Sequence, residues 1–436
     1  MNKIAFITLG CKVNQYETNG MIQKLSKNYE IVSQNEKADI YVINTCTVTN
    51  MSDRKSRQLL RRCKELNKDS IIIAVGCYAE VAKEEIENIK EVDLVLGNKQ
   101  KVNIDLYIES ILENNNREVK EDSDNKEELS EYIEYGTVTY TEKTRAVIKV
   151  QDGCNNFCTY CIIPYARGRI VSRKKENILK EIEEISRTGI KEVVLTGIPI
   201  ASYGKDLKEE YKLIDLLEDI NKISGIERIR LGSLEPTLIT DEFCLRLSHL
   251  EKICHHFHLS LQSGCDKTLK EMNRKYTTKE FSEVVDRLRN LYDDVILTTD
   301  VIVGFPNETE EDFNTTYEFL KKIRFYKMHI FKYSMRKGTV AAKMKNQVPS
   351  NIKDERSHKL ILLSNENEIS YLKEYVGKEI DVLFEEREGE YIKGHTQNYL
   401  MCKARLGDEC INKIKKVKVN NIENDVLVSD WNVIKK

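Results

Sequence analysis

No stretch of this 436-residue chain is a long hydrophobic run. None reaches the roughly 18 apolar residues that a membrane-spanning helix needs. The first ten residues, MNKIAFITLG, hold one lysine and a short apolar run, with no small-residue cleavage site of a secretory leader. Excess charge is also missing, since Lys+Arg 69 against Asp+Glu 71 leaves a net −2. A nucleic-acid partner would therefore have to meet local positive patches rather than a global field. No internal repeat shows beyond a strand–helix period. The expected protein is cytoplasmic. In that compartment 12 cysteines argue against a disulfide framework and towards metal ligation, reactive thiols or buried filler.

Hydrophobic patterning divides the chain into parts, and a prior of about 150 residues per domain suggests three. IAFITLG, YVINT, SIIIAVG and LVLG read as buried strands with helical patterns between them, which implies a parallel α/β sheet. We assign this unit to residues 1–112. An acidic, Asn-rich linker is expected over 113–139. The alternation resumes in AVIKV, EVVLTG, RIRLGS, HFHLSLQ, ILTTDVIVG and MHIFKYS, giving six β/α units over 140–370. That number suggests a partial (β/α)6 barrel, a fold that carries its chemistry at the carboxyl ends of the strands. An amphipathic helix is expected over 351–375, and short alternating strands follow over 371–436, the pattern of a small β-barrel.

One further absence sharpens the reading. CNNFCTYC supplies Cys154, Cys158 and Cys161 on one loop, and no fourth cysteine or histidine lies nearby. A structural zinc site takes four ligands. A [4Fe–4S] cube normally takes four thiolates. Three thiolates would leave one iron open for a ligand that is not protein. The other reading is a redox or zinc loop completed by a distant cysteine. Cys11, Cys46 and Cys77 each end a strand of the first unit. The ends of parallel strands share one edge, so these thiols are expected to converge on a second open cluster. The alternative is buried filler. Burial is also the expectation for Cys63, Cys244, Cys254, Cys265, Cys402 and Cys410.

The spacing C-x3-C-x2-C after the first strand of the six-unit region resembles the radical SAM enzymes. TLGCKVNQYET, INTCTVT, VGCYAE and QDGCNNFCTYCIIPYARGR together resemble the methylthiotransferases among them. RLGSLEP, HLSLQSGCD, TTDVIVGFP and FKYSMRKGTVAAKM resemble later motifs of that family, and YVGKEIDVLFEE with GHTQNYL is similar to a TRAM domain, a tRNA-binding β-barrel. GCKVN looks most like the branch acting on N6-threonylcarbamoyladenosine. Related branches act on isopentenyladenosine in tRNA or on an aspartate of a ribosomal protein. In this chain Pro199 stands where relatives tend to have His or Asn, and Asn307 where they have Gly.

The resemblance implies two [4Fe–4S] clusters and S-adenosylmethionine, with methylthio transfer to C2 of the modified adenosine in a tRNA anticodon stem-loop. It also implies a low-potential electron donor of flavodoxin or ferredoxin type. The chain is expected to act as a monomer. Tyr160, Thr196, Gly197, Ser233, Gln262 and Asp300 are expected to flank S-adenosylmethionine; for Tyr160 the alternative is a loop aromatic filling the mouth of the barrel. Arg167, Arg169 and Arg173 follow the cysteine loop and are expected to meet phosphates. Arg54, Lys55, Arg57, Arg61 and Arg62 form a basic run on one helix, a phosphate contact or, more commonly, a solvated face, and Lys413, Lys415, Lys416 and Lys418 alternate at strand spacing, where edge protection is the other meaning. A non-catalytic iron–sulfur or zinc RNA-binding protein is the reading from another class.

Overall fold

Continuous β-branched runs in the first hundred residues need burial on both faces, and a parallel sheet covered by helices provides it. The computed structural model describes residues 1–114, 131–141 and 144–429. Its first sheet holds β1 (Lys3–Thr8), β2 (Glu30–Val32), β3 (Ile40–Thr45), β4 (Ile71–Gly76) and β5 (Leu94–Leu96) in the order β2-β1-β3-β4-β5, all parallel. Helices α1 (Lys12–Leu25), α2 (Asn50–Leu66), α3 (Cys77–Val81), α4 (Lys83–Glu87) and α5 (Ile104–Asn114) connect the strands. Register sets the cysteines side by side. Thr45 pairs with Gly76, so Cys46 and Cys77 leave adjacent strands at the same level. Thr8 pairs with Asn44, which brings Cys11 round beside them.

The central region has two three-stranded parallel sheets. β6 (Arg145–Lys149) starts the first, and the ribbon of β7 (Gln151–Asp152) and β8 (Val171–Ser172) clasps the base of the CNNFCTYC loop. After that loop come α6 (Ile163–Arg167) and α7 (Lys175–Arg187). β9 (Glu192–Thr196) and β10 (Arg228–Leu231) complete the first sheet; β11 (His256–Gln262), β12 (Ile296–Val303) and β13 (Lys327–Lys332) make the second. Isolated parallel bridges, Ile229 with Ile253 and Leu234 with Leu259, join the two. The six strands thus follow chain order around a core that includes Ile148, Leu195, Leu231 and Leu259. The long helix expected near 351–375 spans Ser350–Lys373.

The last unit is a six-stranded sheet of β14 (Glu379–Glu388), β15 (Tyr391–Thr396), β16 (Met401–Ala404), β17 (Ile414–Lys418), β18 (Asn421–Glu423) and β19 (Val426–Ser429), antiparallel except for β16 with β19. Its apolar side, with Val382, Phe384 and Ile392, packs with Ile296 and Tyr326 of the central region. Most of the expected linker, residues 115–130, lies outside the described residues. Its end does not: the Gln23 side chain accepts from the backbone of Thr139 and Tyr140, and donates to the Thr137 carbonyl, at 2.6–2.9 Å. Among the described residues no helix is long and apolar enough to cross a membrane.

A buried ionic cluster ties the first sheet to the central strands. Glu17 on α1 takes Lys101 at 2.5 Å, Lys149 at 2.7 Å and Arg167 at 2.9 Å. Arg167 and Lys149 also bind Asp152, and Arg167 donates to Asn14 at 2.6 Å. Burial alone would raise the Glu17 carboxyl, but Arg167, Lys101 and Lys149 outweigh it and hold the carboxyl well below the usual range. Removing one partner of such a cluster strands charge in a low-dielectric interior, at a cost of about 3–5 kcal/mol. Glu17→Gln is expected to lower the thermal unfolding midpoint clearly, while leaving the helical and strand content of the folded protein intact by circular dichroism. Because the folded carboxyl is depressed, its contribution is complete above the unfolded value of about 4.3 and is lost as pH falls below it. The gap between variant and parent is therefore expected to close in acid.

Candidate active site

The carboxyl ends of the central strands and of the first sheet open into one cavity of about 1240 Å³. Cys154, Cys158 and Cys161 line it from one side, and Cys11 from the other. Cys46 and Cys77 stand behind Cys11, each close enough that thiolate charge on one raises the pKa of another. Each set of three cysteines is thus gathered on its own unit, and Cys154, Cys158, Cys161 and Cys11 reach the same cavity. Among the described residues the trio of ligand atoms lying within 4.8 Å of one another is His258, Asp300 and His329. Neither cysteine triad is contracted in that way around one small ion.

The surroundings fit a thiolate-held cluster in both places. Burial pushes the Cys161 thiol up to about 12, with Cys158 and Cys154 adding to it. Burial likewise raises Cys11, Cys46 and Cys154. Metal binding must displace the protons of these thiols. Donors for the resulting charge are already in place. Arg274 donates to Cys158 Sγ at 3.3 Å, and the Asn156 amide to Cys154 Sγ at 3.4 Å. Asn98 reaches Cys77 Sγ at 3.8 Å. Arg167 favours the charged form of Cys11, and Cys77 in turn favours the charged form of Arg167. Hydrogen bonds and charge of this kind set the properties of an iron–sulfur centre.

Glycines before the cysteines shape both sites, and the sequence reading passed over them. Gly10, Gly76 and Gly153 each precede a triad cysteine, and each has a positive φ, of 98°, 96° and 69°. At Gly10 a Cβ would sit 2.9 Å from Cys46 Cβ, so a side chain there would invade the triad. The repeated Gly-Cys pair was the available signal. Glu17, Lys101 and Arg274 were also missed, because nothing local marks them as partners of distant groups.

All of the residues expected around S-adenosylmethionine, Tyr160, Thr196, Gly197, Ser233, Gln262 and Asp300, line this cavity. Tyr160 also packs on Met272, Phe305 and Tyr333. Gln262 sits at a bulge between β11 and β12 with φ 73°, a conformation that re-aims its side chain. Asp300 pairs with His258 at 3.2 Å. Pro199 lines the cavity wall. Asn307 adopts φ 67°, a left-handed conformation that glycine and asparagine tolerate best.

Two of the three arginines expected at phosphates are spoken for. Arg167 has a 0% exposed side chain inside the Glu17 cluster. Arg173 is 1% exposed and binds Glu181 at 3.0 Å and Glu134 at 2.9 Å. Both hold the cysteine loop to its neighbours and are corrected from RNA ligands to structural cations. Arg169 is exposed, its guanidinium over Phe157. Arg54, Lys55, Arg61 and Arg62 are exposed on α2, whereas Arg57 pairs with Glu85. Lys413, Lys416 and Lys418 are exposed on or beside β17, at the edge of the last sheet. Cys63, Cys244, Cys254, Cys265, Cys402 and Cys410 are all buried.

Comparison with known proteins agrees with this geometry. Residues 148–320 match the radical SAM superfamily, and residues 3–97 match the group described as uncharacterized protein family UPF0004. The chain is 41% identical to the threonylcarbamoyladenosine tRNA methylthiotransferase MtaB of Bacillus subtilis, covering 96% of this chain and 94% of that one. It is 43% identical to the protein of that name from Aquifex aeolicus, covering 96% and 100%. It is 37% identical to a tRNA-2-methylthio-N(6)-dimethylallyladenosine synthase of Thermoanaerobacter sp., covering 94% and 89%. Among solved structures, the radical S-adenosylmethionine methyltransferase TsrM of Kitasatospora setae superposes with a TM-score of 0.56 at 13% identity, covering 76% of this chain and 73% of that one. The likeness to TsrM supports a shared α/β fold alone. With the fold, the paired cysteine triads and these near full-length identities together, the chain belongs to the radical SAM methylthiotransferase family.

Proposed function

We propose that this protein transfers a methylthio group to C2 of N6-threonylcarbamoyladenosine in the anticodon stem-loop of tRNA. The observation that carries the proposal is that Cys154, Cys158 and Cys161 of one unit and Cys11 of another line a single cavity of about 1240 Å³, with Cys46 and Cys77 buried close to Cys11. Cys154, Cys158 and Cys161 would hold one [4Fe–4S] cluster, and Cys11, Cys46 and Cys77 the other. When bound, S-adenosylmethionine and the clusters would supply the methyl group and the one-electron chemistry that an unactivated aromatic C–H bond requires, with the second cluster carrying the sulfur.

The chain's own residues do the positioning. Tyr160, Thr196, Gly197, Ser233, Gln262 and Asp300 flank S-adenosylmethionine. Arg274, fixed by Glu235 at 2.7 Å and the Ser260 carbonyl at 3.0 Å, places one N–H on Cys158 and offsets thiolate charge. The Glu17 cluster fixes the distance between the two triads. Tyr160 and Tyr333, packed on the buried Met272 and Phe305, form one wall of the cavity and help to exclude water.

The domain reading belongs to the same proposal: a methylthiotransferase unit over 1–112, a linker over 113–139, a partial barrel over 140–370 and a TRAM-like tRNA-binding unit over 371–436. Arg169, the exposed face of α2 and the β17 lysines are the local positive surface for phosphates. The protein works as a cytoplasmic monomer fed by a flavodoxin- or ferredoxin-type donor.

Nucleoside mass spectrometry of tRNA from a deletion strain tests the substrate. The 2-methylthio derivative of threonylcarbamoyladenosine is expected to vanish and to return with the intact gene. An unchanged level, or loss of the 2-methylthio isopentenyl nucleoside instead, would overturn the assignment. Cys77→Ala and Cys161→Ala are each expected to lower iron and sulfide in the reconstituted protein by about half, since each triad holds one four-iron cube. Each is also expected to abolish product while leaving tRNA binding within about twofold, because phosphate contacts set that affinity.

A further inference from the structure

The polar groups at the end of the cavity nearest Cys11 carry unequal charge. Lys12 follows Cys11 directly, lines the cavity and makes no ion pair among the described residues. Behind it stand Arg145, Arg228 and Arg230, with Glu192 and Glu385 as the carboxylates among them. Arg230 takes Glu192 at 2.7 Å, while Arg145 reaches Glu385 at 3.2 Å. Lys12 and three guanidinium groups thus share two carboxylates, one of which is also bound by His395 at 2.8 Å. Four further acids line the cavity, Glu235, Asp300, Glu368 and Asp425, three of them with a partner of their own. Glu235 is held by Arg274, Asp300 by His258 and Glu368 by Lys327.

Tyr399 organises this end. It projects from the last sheet with φ 74° and stacks between His395 at 4.6 Å and His256 at 4.8 Å. The guanidinium carbons of Arg230 and Arg145 lie 4.6 and 5.3 Å from the centre of its ring. Burial would raise the Tyr399 phenol, yet Arg145, Lys12 and Arg230 bring it below its ordinary value. Burial and Arg230 hold His256 neutral, so it adds polarity without charge. The pocket therefore has a planar aromatic platform, a free ammonium and a net positive field, walled by three different units of the fold.

We propose that Lys12, backed by Arg145 and Arg230 beside Tyr399, is the specificity-determining cation that binds the carboxylate of the threonylcarbamoyl group. This deepens the reading under Proposed function and rests on it. Lys12 is exposed to the cavity, so its ammonium is free to donate a charge-assisted bond to a carboxylate that enters. An apolar N6 substituent offers no such acceptor, so the same pocket rejects an isopentenyl group. A backbone phosphate has the same charge, and the two sources part company in the test.

The experiment uses full-length, cluster-loaded protein and an anticodon stem-loop RNA in three forms: threonylcarbamoylated, its methyl ester, and unmodified at that adenosine. Dissociation constants are measured for wild type, Lys12→Met and Lys12→Arg, with iron content checked to confirm intact sites. Wild type is expected to prefer the free carboxylate over the ester by about tenfold or more, the strength of a charge-assisted hydrogen bond. Lys12→Met is expected to lose that preference to within about twofold while binding unmodified RNA as before. Lys12→Arg is expected to keep most of it. If Lys12→Met weakens all three RNAs equally, Lys12 meets a phosphate and the inference is overturned. If Lys12→Met keeps the full preference, the inference fails while the substrate assignment survives. If wild type prefers neither acid nor ester, the inference fails, and if it also binds the unmodified RNA equally well, the substrate assignment fails with it.

Discussion

Arg167 between Glu17 and Asp152 is the contact on which the arrangement of this molecule depends. Its side chain leaves α6, just beyond the CNNFCTYC loop, and ends among residues of α1, just beyond Cys11. One guanidinium thus spans the two cysteine triads. Five charged groups share the cluster, with Lys101, Lys149 and Arg167 against Glu17 and Asp152. The surplus positive charge lies beside Cys77 and Cys11, where a thiolate-bound cluster would be anionic. Burying so much charge adds little to stability for its cost. What it does add is a fixed geometry, because bidentate guanidinium–carboxylate pairs tolerate little rotation.

Around that hinge point the three units have separable tasks. The first sheet brings three distant cysteines together by register alone. The central strands present their polar residues at one end, where Gln262 is held in an uncommon backbone conformation. The last sheet closes one side of the cavity: Arg228 donates to the carbonyls of Asp381 and His395, and Arg230 to that of Gln397. Those bonds carry Tyr399 into the pocket. A sheet whose edge can meet RNA phosphates is thereby coupled to the place where a nucleoside is read.

Much of this was legible in the sequence, for a physical reason. Buried parallel strands write themselves as β-branched runs, so strand ends, and the cysteines on them, could be located by eye. The strand-end residues that line the cavity were found by the same rule. What failed was the reading of charge. Arg167 and Arg173 sit in a basic string after the loop, and linear order does not say that Glu17, Glu134 and Glu181 fold back on them. The edge strand Glu30–Val32 escaped because it is short and half exposed. Lys12, flanked by the cysteine that drew attention, acquires meaning only once Arg145, Arg230 and Tyr399 arrive from far along the chain.

The central claim is that two open clusters face each other across one cavity. Electron paramagnetic resonance of the reconstituted, doubly reduced protein addresses it most directly. Two paramagnetic clusters at the observed triads should couple, giving a spectrum broadened relative to the sum of those from Cys77→Ala and Cys161→Ala. A wild-type spectrum equal to that sum would mean that the clusters lie apart, and the shared-cavity account would not stand.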